Sequence, residues 1–266
     1  MSELILSPHA GYRATTTLYA HTDAEELHQK NKKKFGPSWY YYDRPLTYKF
    51  NNYGYRMNKE LHEIDYSNHC AFFGCSNTVG IGLELEETFA YRIGQQLGMD
   101  YVNGAIGGGS PEFVFYNLTR YLTNVREYPE FIVVNWPQAS RTLYWETDQM
   151  HFFLPSVGTD ARHWRESYKE FITEDSHILQ RFHFLRANVR LLCKLADINL
   201  IEFTSWQDTD GFFERNPDMI LPNIHNYNEP NINSDKARDI LPGADVAHPG
   251  IFHQQLIVDY VLSRLK

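Results

Sequence analysis

Three separated groups of residues in this 266-residue chain have the types and spacing that acyl transfer needs. The first is Ser76, within Ala71-Phe72-Phe73-Gly74-Cys75-Ser76-Asn77-Thr78-Val79-Gly80. An apolar run stops there at a glycine, a small polar cluster follows, and a helical pattern begins soon after. A serine presented by the end of a buried strand has this appearance. The second group is Asp245-x-x-His248 near the C-terminus. A serine hydroxyl is a poor nucleophile unless a histidine takes its proton and a third group orients that histidine. In a turn, a carboxylate just upstream can accept from one ring nitrogen while the other faces outward. The third group is the glycine cluster Gly104-Ala105-Ile106-Gly107-Gly108-Gly109-Ser110. A tetrahedral oxyanion needs N–H donors aimed at it. The candidates are the N–H of Ser76, one from the glycine cluster, and a side-chain amide after the third strand.

These groups must be positioned by strands and helices, and from His69 onward the pattern alternates between the two. Ala71–Gly74 reads as a short buried strand. Glu86–Leu97 reads as an amphipathic helix with Phe89, Ile93 and Leu97 on one face and Gly98 at its C-terminus. Tyr101-Val102-Asn103 is the second strand. Ser110 and Pro111 predict an N-cap and first turn, and Val114, Leu118, Tyr121 and Val125 give that helix its apolar stripe. Phe131-Ile132-Val133-Val134 is an unbroken run of the kind buried on both faces of a parallel sheet. The longest helix is expected from Ile178 to Ala196, a fourth strand at Leu200–Thr204, and a terminal helix up to Leu265. The alternation predicts an α/β fold, a three-layer α/β/α sandwich on a central parallel sheet. In such sheets the site lies beyond the carboxyl ends of the strands. Residues 1 to about 65 are polar and Tyr-rich. We expect them to form an N-terminal extension packed on a main domain of residues 66–266. A short helix is expected around Ala24–Lys33, and Arg56 has either a site or a surface carboxylate within its reach.

Composition narrows the function classes. A net charge of −8 gives no overall attraction to nucleic acid or to an anionic membrane, and Lys32-Lys33-Lys34 is too short to change that. Cys70, Cys75 and Cys193 lie in or beside apolar runs without metal-type spacing, so they read as core thiols. There is no signal-peptide pattern and no apolar run of membrane-spanning length, which makes a cytoplasmic location the default expectation. No metal and no cofactor are expected.

With its elements in this order the chain resembles the SGNH hydrolase superfamily, also called GDSL-type esterases and lipases. Gly74-Cys75-Ser76-Asn77-Thr78-x-Gly80 resembles the family's first block, with Cys75 in place of the usual aspartate. Asn103-x-Ala105-x-x-Gly108-x-Ser110 resembles the second, and Asp245-x-x-His248-Pro249 the last. The resemblance implies an SGNH/flavodoxin-like fold, Ser76 as nucleophile, His248 as base, Asp245 as its orienter, and Gly108 as an oxyanion-hole donor. The third block departs from the pattern. Trp136-Pro137-Gln138-Ala139 stands where the family has Gly-x-Asn-Asp, so Gln138 replaces the oxyanion asparagine, with Asn135 as second choice. The implied activity is hydrolysis of a small-molecule or glycan ester, and transfer to a sugar hydroxyl is the related alternative. Another alternative is a carbohydrate-binding or assembly module with little turnover.

Each motif also has a structural reading. Ser76 can be a small residue in a tight turn, and Thr78 stands where an α/β-hydrolase elbow has its second glycine. Asp245 and His248 can cap the terminal helix. The glycine cluster can serve close packing, because the strict dinucleotide spacing is missing. Two insertions interrupt the alternation, at about 138–176 and 207–244. The first is rich in aromatics and histidine, including Arg141, Tyr144, Trp145, His151, Phe152, Phe153, His163 and Trp164. Asn77, Trp136, Arg141 and Trp145 are taken as substrate contacts, the aromatics leaning towards carbohydrate esters. His253 is expected to face outward on the last helix. Asn117-Leu118-Thr119 matches a glycosylation sequon inside a predicted helix.

Overall fold

A computed structural model of the chain describes residues 4, 7–20, 24–37, 39, 41–146, 149–153, 175–205, 248 and 250–265. The N-terminal part holds β1 (Thr16–Leu18), α1 (Glu25–Phe35) and β2 (Thr47–Lys49), with β1 and β2 paired antiparallel. Next come β3 (His69–Phe73), α2 (Ser76–Val79), α3 (Phe89–Leu97), β4 (Asp100–Asn103), α4 (Pro111–Asn124) and β5 (Phe131–Asn135). An antiparallel hairpin of β6 (Thr142–Glu146) and β7 (Gln149–Phe153) opens the first insertion. The described chain then runs through α5 (Asp175–Leu195), β8 (Asn199–Phe203) and α6 (Ile251–Arg264).

The central sheet is four-stranded, in the order β4-β3-β5-β8, and every neighbouring pair is parallel. All five residues of β3 and of β5 are buried, as an unbroken apolar run requires when helices cover both faces. Alternate side chains choose the face. Phe72 meets Phe89 of α3 at 5.8 Å between ring centroids, while Phe73 meets Tyr121 of α4 at 5.7 Å. Phe203 touches both Phe89 and Tyr260, so α3 and α6 share one face. α4 and α5 pack together and cover the other, where Phe182 lies against Trp136. This is the three-layer α/β/α arrangement that the alternation of elements predicts.

Local grammar fixes the helix ends. The Ser110 hydroxyl accepts from the Phe113 N–H and Pro111 takes the first helical position, as expected. Gly98 closes α3 in the left-handed conformation. The helical pattern expected from Glu86 breaks in two, because Thr88 caps α3 and a capping box of Glu84 and Glu87 opens a separate 3-10 turn. Leu97, expected on the apolar face of α3, is 37% exposed in its last turn. The sequon at Asn117 is buried: its amide donates to the Tyr55 hydroxyl and to the Gly104 carbonyl. His253, expected to face outward, is only 2% exposed. It heads the buried stripe His253, Ile257, Val261 of α6, and that four-residue spacing overrides its distance from His248.

Candidate functional site

Ser76 is the first residue of α2, directly after the central strand β3 and its Gly74–Cys75 exit, and is 6% exposed. The next two turns bend tightly. The N–H groups of Thr78 and Val79 both donate to the Cys75 carbonyl, and Gly80 ends the turn with φ +74° and its N–H on the Ser76 carbonyl. The first N–H groups of a helix have no acceptor within it, so the Ser76 end of α2 offers donors at the strand's carboxyl edge. Arg56 holds this turn from behind. It is 1% exposed, donating to the carbonyls of Val79, Gly80 and Leu83 while stacking on Tyr48 at 4.2 Å, and its charge also acts on the Glu84 carboxylate. Several carbonyls turned inward by one tight loop need a multidentate donor, and a planar guanidinium supplies it.

Gly74 is the point where the neighbouring loops meet. A Cβ on it would lie 2.2 Å from Thr78 Oγ1 and 2.8 Å from the Asn135 carbonyl, so no larger residue fits between β3 and β5. A Cβ on Gly109 would come within 3.2 Å of the Gly74 carbonyl, which brings the glycine cluster against the same spot. That cluster folds as a turn from Ile106 to Gly109, closed by Gly109 N–H on the Ile106 carbonyl at 3.3 Å. Gly108 is its third residue with φ +74°, the conformation a type II turn demands there. Asn103 ties this loop to α2: its Oδ1 accepts from Ala105 N–H, and its amide donates to the carbonyls of Thr78 and Arg56.

On the other side stand the ends of β5 and β8. Asn135 is fully buried and its amide is taken up by Ser205: Nδ2 donates to Ser205 Oγ at 2.8 Å, and Oδ1 accepts from the Ser205 N–H at 3.1 Å. Asn77 also donates to Ser205 Oγ, at 2.9 Å. Ser205 therefore joins the Ser76 turn to β5, a role that sequence reading missed. Its place just past a parallel strand's carboxyl end was the available signal. Asn77, expected at the substrate, is 1% exposed and serves this network.

Beyond Asn135 the chain turns at Gln138. Gln138 Oε1 accepts from Arg141 Nε at 3.2 Å, which leaves the NH₂ end of the amide turned the other way. Arg141 is 6% exposed and hydrogen-bonded to the Cys75 thiol, next to Ser76. Burial disfavours its charge and lowers its pKa, and the Cys75 thiol partly offsets this. Arg181 of α5 braces the loop, donating to the carbonyls of Ala139 and Arg141 and pairing with Glu112 of α4 at 2.9 Å. Trp136, expected at the substrate, lies instead in the core at 0% exposure. Its ring packs on Phe182 and its indole N–H donates to Glu202, which also takes Arg186 and Arg190. A buried indole needs an acceptor, and the β8 carboxylate provides one away from Ser76.

His248 is buried, two residues before Gly250, which precedes α6. Asp245 lies outside the described residues, as do His163, Trp164 and the 207–244 insertion. Trp145 belongs to β6, but its side chain is likewise outside the description. All three cysteines are buried thiols outside any disulfide, with burial pushing the Cys193 thiol up to about 12. Among the described residues no group of His, Cys, Asp or Glu could hold a metal ion, and no helix is long and apolar enough to cross a membrane.

No family model and no curated protein matches the sequence. Solved structures match it at low identity, and they include G-D-S-L lipolytic proteins and carbohydrate esterases. A structure of TesA is 14% identical, covering 74% of this chain and 98% of its own, with a TM-score of 0.43. A mutant of Axe2, an acetyl-xylooligosaccharide esterase from Geobacillus Stearmophilus, is 14% identical over 74% of this chain and 94% of its own, at 0.41. A member of the lipolytic G-D-S-L family from Veillonella parvula is 12% identical over 73% and 96%, at 0.33.

Proposed function

We propose that this chain is a serine esterase of the SGNH kind, hydrolysing carboxylic esters through an acyl-enzyme on Ser76. The supporting observation is the convergence at Gly74. The Ser76 turn and the end of β5 leave no room for a Cβ on Gly74 at the carboxyl edge of the sheet, and the Gly107–Gly109 turn packs closely against the same residue.

Each residue then has a step. His248 takes the hydroxyl proton as Ser76 Oγ attacks the ester carbonyl, and Asp245 orients the ring and stabilises the imidazolium. The oxyanion accepts from the Ser76 N–H, the Gly108 N–H and Gln138 Nε2, whose direction follows from the Arg141 bond to Oε1. His248 returns its proton to the departing alcohol. Water then attacks the acyl-serine by the same route and releases the acid. The aromatic residues of the first insertion favour acyl groups carried on carbohydrate, O-acetyl groups among them, and a sugar hydroxyl in place of water would give transfer.

The test is turnover of p-nitrophenyl acetate by the whole chain and by Ser76→Ala. The expected result is a loss on the order of 10³-fold or more in kcat, as for other nucleophile deletions. Equal rates in the two proteins would leave a binding module and no enzyme.

A further inference from the structure

The N-terminal segment reaches the glycine turn through one side chain. His9 Nε2 lies 2.8 Å from the Gly107 carbonyl oxygen. A carbonyl only accepts, so Nε2 carries the proton and donates it. The carbonyl of Gly107 and the N–H of Gly108 belong to one planar, trans peptide unit. Fixing the oxygen therefore fixes the N–H, which points the opposite way.

That peptide is also the central one of the Ile106–Gly109 turn. Type I and type II turns differ in the orientation of this unit. Two glycines flank it, so neither side chain resists a flip. The closing bond of the turn, Gly109 N–H to Ile106 carbonyl, is a long 3.3 Å and does not involve the central peptide. The orientation thus depends on contacts from outside the turn, and His9 makes one.

The arm that carries His9 is well anchored. Ser7 is fully buried, its N–H donates to the Tyr53 carbonyl, and its own carbonyl accepts from Arg13 at 2.6 Å. The His9 N–H donates back to Ser7 Oγ at 3.2 Å. Tyr12, in tilted contact with the His9 ring, stacks on Phe50 at 4.9 Å. Two residues further on, Ala14 N–H bonds the Asn51 carbonyl. An anchored arm holds the imidazole in place more firmly than a loose tail would.

We infer that His9 is a positioning residue for the oxyanion hole: by holding the Gly107 carbonyl it aims the Gly108 N–H at the oxyanion. This inference rests on the esterase reading of Ser76 above, and it gives the N-terminal segment a function in catalysis beyond packing. A donor that is aimed in advance costs no reorganisation when charge develops, so the effect falls on kcat and leaves ground-state binding alone.

The test uses the full chain with an activated ester, comparing wild type, His9→Ala, His9→Gln and Ser76→Ala, each checked for folding by its melting curve. His9→Ala should lower kcat on the order of tenfold with KM unchanged, a fraction of what deleting a whole donor costs. His9→Gln, whose amide N–H can reach the same carbonyl, should recover most of the rate. A wild-type kcat in His9→Ala beside an inactive Ser76→Ala overturns the inference and leaves the esterase reading standing. So does an equal loss in His9→Ala and His9→Gln that follows the melting temperature, since it marks a packing role. Activity undiminished in Ser76→Ala overturns both.

Discussion

The two loops that flank Ser76 are built on different principles. On the β4 side the proposed donor is backbone: a glycine turn set by φ +74° at Gly108, held by His9 on the Gly107 carbonyl and by Asn117 on the Gly104 carbonyl. On the β5 side the polar groups are side chains, and two amides only three residues apart have separate duties. Asn135 is spent on Ser205, whereas Gln138 is steered by Arg141. A backbone donor is protected from substitution because its geometry depends on the chain path. A side-chain donor depends on each member of a network, so it can move along the sequence while the fold stays the same. That difference fits a glycine block that resembles the SGNH pattern beside a third block that departs from it.

The comparison breaks most visibly at the two amides. Gln138→Ala should reduce kcat by about 10²–10³, because it removes the proposed donor to the oxyanion, with a stability cost limited to the one bond that Arg141 Nε makes to it. Asn135→Ala should do the reverse. It strips a buried amide and leaves the N–H of Ser205 short of its acceptor, which costs about 1–3 kcal/mol of stability by urea unfolding. If Asn135→Ala lost rate without stability, the assignment of the two amides would be reversed.

The glycine side should respond less. Gly108→Ala forces an L-residue into the left-handed region at a cost of about 1–2 kcal/mol. The turn is expected to relax by rotating its central peptide, with kcat falling and KM held. A matching loss in Gly109→Ala would not separate strain from contact, since its Cβ meets the Gly74 carbonyl at 3.2 Å. Gly108 is therefore the informative position.

The smallest effect is a pH slope from the face opposite α3. Buried His69 donates from Nδ1 to the Tyr66 carbonyl and accepts at Nε2 from the Tyr121 hydroxyl. Desolvation lowers its pKa from 6.5, outweighing the Tyr66 bond that raises it. With the folded value depressed, the unfolded chain takes up the proton first as pH falls. Its contribution to stability is whole above about pH 6.5 and declines below it until the folded value is reached. Unfolding free energies measured across that range should slope downward towards acid in wild type and more gently in His69→Gln. Identical slopes would remove His69 from the account.

Much of the scaffold was legible because local signals agreed with each other. Ser110, Pro111 and Gly98 mark helix ends through bonds made within a few residues, and the β5 run announces burial on both faces through composition alone. The site residues that were missed, or noticed without their partners, depend on distant contacts. Arg56 is matched to three backbone carbonyls, which leave no trace in sequence. Ser205 was obscured because one serine past a strand looks like any turn. Trp136 misled because an aromatic just beyond a strand end resembles a substrate platform, whereas Glu202 supplies its acceptor from a strand that begins over sixty positions later. His253 was legible in hindsight, since counting back in fours from Val261 and Ile257 arrives at it. His9 had no local signal at all, because its partner lies 98 positions away.

The central claim is that Ser76 is an activated nucleophile, and the most direct measurement is covalent. The intact chain is incubated with a fluorophosphonate and the adduct is located by peptide mass spectrometry. The account predicts one phosphonyl group per chain, attached to Ser76, absent from Ser76→Ala and slow to form in His248→Ala. An adduct on another residue, or no adduct at concentrations that label other serine esterases, would contradict it.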